Sequence, residues 1–426
     1  MPALTSFIKE TFSSLEVRNY RLYFIGQAIS VSGTFMQSVA QAWLVLKITN
    51  SGTALGLVTA LQFLPILIFG PWGGVVADRY DKRKLLLITQ IIFGVQALIL
   101  GFLVITGLVQ LWMVGVLAFI YGIINVVDNP VRQTFVPEMV GNERLRNAVT
   151  LYSSLVNLAR VIGPILAAVF IASVGLGMCF IINGISYTAI IIFLLAMDVT
   201  KLHVTNQLVK KGGQMIEGLR YILKTAHLRN TLLMMALIGT LTYEFQVSLP
   251  LLAEFTFHGD AGTYAFLMSA QGVGSIIGGV LLAGQKNISV KALTFAALFF
   301  GVSTLFASFM PGLVLTAIFI FIVGFFSIYF LSLGNTILQL GSDPAMRGRV
   351  MAYWSMAFLG STAIGGPIVG WVGEYAGPRW GLGIGGLAAI AASFIGFIAI
   401  KDMHRKISEE AMTQAELAEG EEKRVM

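Results

Sequence analysis

Twelve apolar stretches, each long enough to cross a lipid bilayer, leave this chain few ways to fold. A hydrocarbon core about 30 Å thick takes roughly 20 residues of helix to cross. No water reaches the backbone there, so a crossing segment must satisfy its own hydrogen bonds, which long helical runs do. Measured this way, the segments fall near 20–46, 53–77, 85–106, 110–134, 148–174, 177–197, 230–254, 262–283, 292–309, 312–339, 349–374 and 380–400. Most connections between them are short. The longest, from Asp198 to Arg229, divides the spans six and six. The expected fold is all-α and integral to the membrane. It comprises an N-terminal six-helix bundle over 1–197, a central loop over 198–229, a C-terminal six-helix bundle over 230–400 and a tail over 401–426.

Composition agrees with that reading. Of the 426 residues 56% are hydrophobic and 12% charged, about half the charge that a soluble domain carries. The single cysteine, Cys179, lies in an apolar run and has no partner for an intrachain disulfide; a buried, inert thiol is expected. His203, His227, His258 and His404 stand far apart with no metal-ligand spacing. No phosphate-binding glycine loop is present, and no nucleophile and base share one depth. The chain therefore reads as a non-enzyme without cofactor or metal, powered by a gradient or by another subunit. Lys9, Glu10, Glu16, Arg18 and Arg21 precede a first apolar stretch that outruns the core of a cleaved signal, so it is expected to stay as a span.

Lysine and arginine orient the spans, because cytoplasmic loops are enriched in them. With the N-terminus on the cytoplasmic side, that face holds all 28 of these residues except Lys47, Arg379 and the intramembrane Arg132 and Arg160. Both termini are expected in the cytoplasm, with the chain in an inner or plasma membrane. The net charge of +7 then faces anionic lipid headgroups and requires no nucleic acid. In the central loop, Ile216, Leu219, Ile222 and Leu223 share one helical face, as in a short helix lying on the inner leaflet. The tail after Lys401, rich in Glu and Ala, reads as a solvated, partly helical end.

The halves repeat. Gly73-Gly74-Val75 recurs as Gly278-Gly279-Val280, Asn129-x-x-x-Gln133 as Asn335-x-x-x-Gln339, Arg144-x-Arg146 as Arg347-x-Arg349, and Gly163-Pro164 as Gly366-Pro367, in order and at nearly one offset. Two pseudo-symmetric bundles imply a site between them that is exposed alternately to each side.

Polar side chains inside lipid are costly and should face a partner or a wet cavity. Span one carries Gln27, Ser30, Thr34, Gln37 and Gln41 on one helical face. Span four carries Tyr121, Asn125, Asp128 and Arg132; span seven Thr240, Tyr243, Glu244 and Ser248; span ten Tyr329, Ser332, Thr336 and Gln339. A central pathway lined by spans one, four, seven and ten is the expectation, and the alternative is that these faces bond helices to one another. Asp128 and Arg160 lie at comparable depth on neighbouring spans, so a buried pair between them is expected, either a static pair that fixes packing or a coupling pair whose protonation or rupture changes with the transport state. Glu244 has no evident basic partner, making it a candidate proton site or a counter-ion for a cationic substrate.

The loop Gly74-Val75-Val76-Ala77-Asp78-Arg79-Tyr80-Asp81-Lys82-Arg83-Lys84 resembles the signature between spans two and three of the major facilitator superfamily, with Asp81 in place of its second glycine and Lys82 in place of an arginine. Asp128-Asn129-Pro130-Val131-Arg132-Gln133 and Asn157-Leu158-Ala159-Arg160-Val161-Ile162-Gly163-Pro164 look like the bacterial branch that contains the enterobactin exporter and macrolide efflux pumps. Gly163-Pro164 is also similar to the antiporter motif of span five, with Ala159, Ala167 and Ala168 where three glycines stand. The resemblance implies the major facilitator fold. It also implies an inner gate built on Gly74, Asp78, Arg79, Lys82 and Arg83, and export of drugs or siderophores by alternating access, driven by protons. The expected partners are a small-molecule substrate, protons and the bilayer, and the chain is expected to act as a monomer. A dedicated siderophore or metabolite exporter, a lipid flippase and an uptake permease are the alternatives on the same fold.

Overall fold

The computed structural model describes residues 12–203, 214–283, 288–344 and 346–425. Lys9, Glu10, Lys210, Lys211 and Lys286, which entered the charge reading, lie outside them. Among the described residues eleven helices are long and apolar enough to cross a membrane, and one of them, Leu111–Val174, has 64 residues. At 1.5 Å per residue that is about 96 Å, three times the hydrocarbon thickness. The backbone leaves the helical region within it at Gly141, with φ 68° and ψ 179°, a conformation only glycine adopts without strain. The 64 residues are thus spans four and five, and the molecule has twelve spans in two bundles.

Span one is Arg18–Thr49, span two Gly52–Arg79, span three Lys82–Ile105 and span six Leu176–Leu195. In the second half, span seven is Ala226–Thr256, span eight Ala261–Ala283, span nine Val290–Phe309, span ten Leu313–Leu340, span eleven Arg347–Tyr375 and span twelve Pro378–Lys401. Span twelve continues as helix to Val425. Several starts are set by side chains that accept a backbone N–H of the first turn. Ser51 takes that of Ala54, Asp81 that of Lys84 and Ser289 that of Ala292. At span eight Asp260 accepts the Thr263 N–H at 3.0 Å, and this bond holds its carboxyl below the usual carboxylate range.

Packing repeats with a period of six spans. Span three lies on span six and nine on twelve, two on four and eight on ten, one on six and seven on twelve. The halves meet where span two packs on eleven and span five on eight. The duplicated glycines follow the same rule. Gly73 abuts the Val126 carbonyl on span four, Gly278 abuts the Phe325 carbonyl on span ten, and Gly74 and Gly279 face open space. Close backbone approach between membrane helices requires small residues at the crossing, and the repeat places them there. Around the outside, Ile88, Phe102, Ile192, Val314 and Phe394 are exposed, as suits a lipid-facing surface.

The central helix Gln214–Lys224 turns Ile222 inward and leaves Ile216, Leu219 and Leu223 exposed. Glu217 reaches Arg349 at 2.7 Å, and the Tyr221 hydroxyl accepts the backbone N–H of Asp343 at 3.1 Å. The helix is thereby tied to the connection between spans ten and eleven. That connection lies at the end of the molecule carrying Arg79, Lys82, Arg83, Arg144 and Arg146, hereafter the basic end; Lys47 and Arg379 lie at the opposite end.

Candidate substrate cavity

Span seven is not the continuous helix its hydropathy predicts. It runs as Ala226–Leu241, breaks, and resumes as Phe245–Leu251. Each residue of the break is held in place. Thr242 donates its hydroxyl to the Gly385 carbonyl at 2.7 Å. A β-carbon on Gly385 would come within 2.7 Å of the Leu241 carbonyl, so span twelve approaches this closely only because it has glycine there. Tyr243 donates to the Ser327 carbonyl at 2.6 Å and packs edge-on against Phe245, Phe300 and Phe358. Glu244 follows, 2% exposed. Irregular backbone at membrane depth is tolerated where it borders a cavity, and it does so here.

The cavity has a volume of about 160 Å³ and lies between the halves. Phe35, Thr59, Phe63 and Arg160 line it from the first half; Tyr243, Glu244, Gln271, Ser327, Phe358 and Thr362 are among those lining it from the second. Its volume exceeds the ~10–15 Å³ a water needs and falls short of the ~300 Å³ at which drug-sized pockets begin. Thr362 lines the cavity with the Glu244 carboxylate, whose Oε1 has no hydrogen-bond partner among the described residues. Gly365 and Gly366 make room for that carboxylate, since a β-carbon on Gly365 would lie 2.9 Å from Oε1. The Arg160 guanidinium lies over the Phe35 ring, 5.9 Å from its centroid. No carboxylate pairs with Arg160 among the described residues.

At the end opposite the basic one the halves are joined. Lys47 bridges to Glu254 at 3.2 Å, the one ion pair between the halves among the described residues. Glu374 accepts the Ser51 hydroxyl at 2.6 Å and the Thr53 N–H at 2.8 Å. Beneath them Gln41 donates to Gln62 at 3.1 Å, and Gln246 borders the same small gap. Spans two and eleven touch along glycines, Gly52 against Gly370 and Gly56 against Gly366. Replacing Gly56 by valine forces backbone apart where no flexible side chain can yield, at a cost of about 1–3 kcal/mol to this closure. A cysteine at Gln246 is expected to react with a water-soluble maleimide about tenfold faster in the Gly56→Val background; equal rates would mean that the glycine contact does not hold this end shut.

At the basic end the gate motif stays within its own half. Lys82 bridges to the buried Glu138 at 2.6 Å, and Arg83 donates to the carbonyls of Leu194 and Leu195. Gly74 is open, and neither Asp78 nor Arg79 enters an ion pair among the described residues.

The structure corrects the expected Asp128–Arg160 pair. Asp128 is held by Arg132, one helical turn along its own span, at 2.6 Å, and accepts from Thr89 and Gln90 of span three at 2.7 Å each. Arg132 also donates to Gln27. Depth along a span does not say which way a helix faces. Arg160 points to the other half.

The remaining polar faces divide. Gln37 bonds Gln96 and Asn183, Thr34 meets the Tyr187 hydroxyl, and Tyr121 packs on Phe93, so with Gln27 they knit the first bundle internally in this conformation. Span four contributes no lining residue to the cavity; Asn125 is half-buried, outside it. In the second half Tyr243 and Glu244 line the cavity. Tyr329 stacks on Phe325, Thr336 bonds its own helix through the Ser332 carbonyl and Gln339 reaches Asn335, all away from it. Gly163 packs against Phe35 and Met36, with Pro164 buried beside it. Gln62, Gln246 and Gln271 were missed, although an amide in an apolar run is costly and calls for a partner or a cavity even outside a stripe like the one that marks Gln37. Phe35, Thr59 and Thr362 gave none.

A family model described as transmembrane secretion effector matches residues 9–424. The chain is 24% identical over 339 residues to the staphyloferrin A transporter of Staphylococcus aureus (strain NCTC 8325 / PS 47), a match covering 78% of this chain and 84% of that one. It is 23% identical over 352 residues to macrolide efflux protein A of Streptococcus pyogenes, covering 80% and 86%. Among solved structures, the nucleoside transporter NupG superposes with a TM-score of 0.71 at 12% identity, covering 90% of this chain and 99% of the other.

Proposed function

This chain belongs to the transmembrane secretion effector family of the major facilitator superfamily, and on that premise we propose that it exports small amphipathic molecules across the cytoplasmic membrane in exchange for protons. The single observation that carries the proposal is the cavity at the break in span seven, where Arg160 of one half and Glu244 of the other face the same space. A route between two bundles needs polar groups at mid-membrane on both sides of the divide, and here each half supplies a charge. The relatives named for macrolide efflux and staphyloferrin A transport support export as the direction.

Orientation follows from the positive-inside bias, which puts the basic end and both termini in the cytoplasm. The closure by Lys47–Glu254 and by Glu374 is then the outer gate, shut in this conformation. Glu244 is the natural exchange point. A proton and the cationic group of a substrate cannot both occupy one carboxylate, so each displaces the other, which is the negative coupling that exchange demands. Asp128 is the second coupling candidate, through the bonds it accepts from Arg132, Thr89 and Gln90.

Inverted membrane vesicles with an imposed pH gradient, offered ethidium, a macrolide and a catecholate siderophore in turn, test the reading. At least one is expected to accumulate and to leak out again when the gradient is collapsed. Accumulation of none, or accumulation indifferent to the gradient, would overturn it. A dedicated metabolite exporter is the second reading, favoured by the unpaired Arg160, which suits a carboxylate-bearing cargo; transport of the siderophore alone would select it.

A further inference from the structure

Arg160 and Glu244 are the two charged side chains on the cavity wall, and they are opposite in sign. They sit on different halves and do not reach each other within the 4.0 Å of an ion pair. Elsewhere the first bundle pairs its buried charges, Asp128 with Arg132 and Lys82 with Glu138. Here two buried opposite charges face one space and stay apart. The Arg160 guanidinium lies on the Phe35 ring and the Glu244 carboxylate rests against Gly365. Leaving each uncompensated is costly in a membrane interior. A ligand that carries both complementary charges removes both costs at once; a ligand with one charge removes one and seals the other in.

Resting on the export reading, we infer that this cavity selects small zwitterions, binding a carboxylate on Arg160 and an ammonium on Glu244. The space of about 160 Å³ accommodates a compact amino-acid-like head. Tyr243, Phe245 and Phe358 beside it offer rings to an apolar remainder. Because the two anchors belong to opposite halves, the bound zwitterion also supplies the bridge that the halves lack here, so that occupancy draws them together. A singly charged molecule cannot do this.

Alanyl-phenylalanine, its methyl ester and its N-acetyl derivative separate the contributions, since the ester keeps only the ammonium and the acetyl form only the carboxylate. Binding of each to the purified full-length protein is measured by calorimetry. The free dipeptide is expected to bind at least about tenfold more tightly than either blocked form, the worth of one charge-assisted hydrogen bond. Arg160→Gln should erase the preference over the methyl ester and keep that over the acetyl form; Glu244→Gln should do the reverse. The double variant should take the doubly blocked N-acetyl methyl ester at least as well as the dipeptide, which also shows that the variants are folded. Equal binding of the three forms, or no binding of the dipeptide, overturns the inference. Gradient-driven accumulation of ethidium, the macrolide or the siderophore by wild-type vesicles in that event leaves the export reading standing, whereas accumulation of none of them removes both.

Discussion

Arg132→Ala is expected to destabilise the first bundle by about 3–5 kcal/mol, the cost of leaving a buried charge without its partner. Asp128 is 2% exposed and is met by Arg132, Thr89 and Gln90. Removing the guanidinium leaves two neutral donors for a full negative charge and frees the Gln27 side-chain oxygen, which Arg132 also holds. Spans one, three and four then lose the polar joint that fixes their facing. Thermal unfolding of purified protein should show a large fall for Arg132→Ala and a smaller one for Asp128→Asn, which keeps an acceptor for Thr89. The Asp128→Ala, Arg132→Ala double variant should be more stable than the sum of the single losses implies, because it removes the stranded charge along with its partner. Additive losses would show that the two side chains act separately. Arg160→Ala is the control. It leaves Asp128 and its partners untouched, so its thermal unfolding is expected to shift less than that of Arg132→Ala.

Glu244→Gln is expected to reduce gradient-driven accumulation in inverted vesicles by at least about tenfold, the effect of one lost charge-assisted contact. Glutamine nearly matches the carboxylate in shape, so the closely packed surroundings of Thr362, Gly365 and Gly366 need not move. It can hold neither a proton in exchange nor a cation as counter-charge. Downhill flux of a preloaded dye should continue, since alternating access requires only that the halves rock about the cavity. Glu244→Asp should recover part of the driven transport. Driven accumulation at the wild-type level in Glu244→Gln would take this carboxylate out of the coupling step and leave Asp128 as the remaining candidate.

Both expectations rest on residues that hydropathy and spacing had already marked, yet in different roles. Glu244 stands out because nothing basic lies near it in sequence register, and in three dimensions Arg160 stands across the same cavity without forming an ion pair with it. Arg132 was set aside as part of a polar face, and it is the partner of Asp128. The polar stripe of span one, evenly spaced from Gln27 to Gln41, reads as one lining surface. Inside the molecule it is shared out instead, with Gln27, Thr34 and Gln37 bonded inside the first bundle and Gln41 bonded to Gln62 of the same bundle at the gap that Gln246 of the other half borders. The break in span seven is invisible to hydropathy, because Thr242-Tyr243-Glu244 is no more polar than the middle of span four, which stays helical.

The chain's own order of residues was enough to establish membrane residence, twelve crossings, two repeated halves and the basic bias of one end. These are sums along the chain: twenty apolar residues cross a bilayer whatever surrounds them, and duplicated glycines need no partner to be recognised. Which side chain meets which was decided only by packing. A helix rotates its outlook by 100° per residue, so a turn of a residue or two exchanges a neighbour in the same bundle for the opposite wall of the cavity. Asp128 and Arg160, on adjoining spans, meet different neighbours, the one Arg132, Thr89 and Gln90 and the other the cavity between the halves.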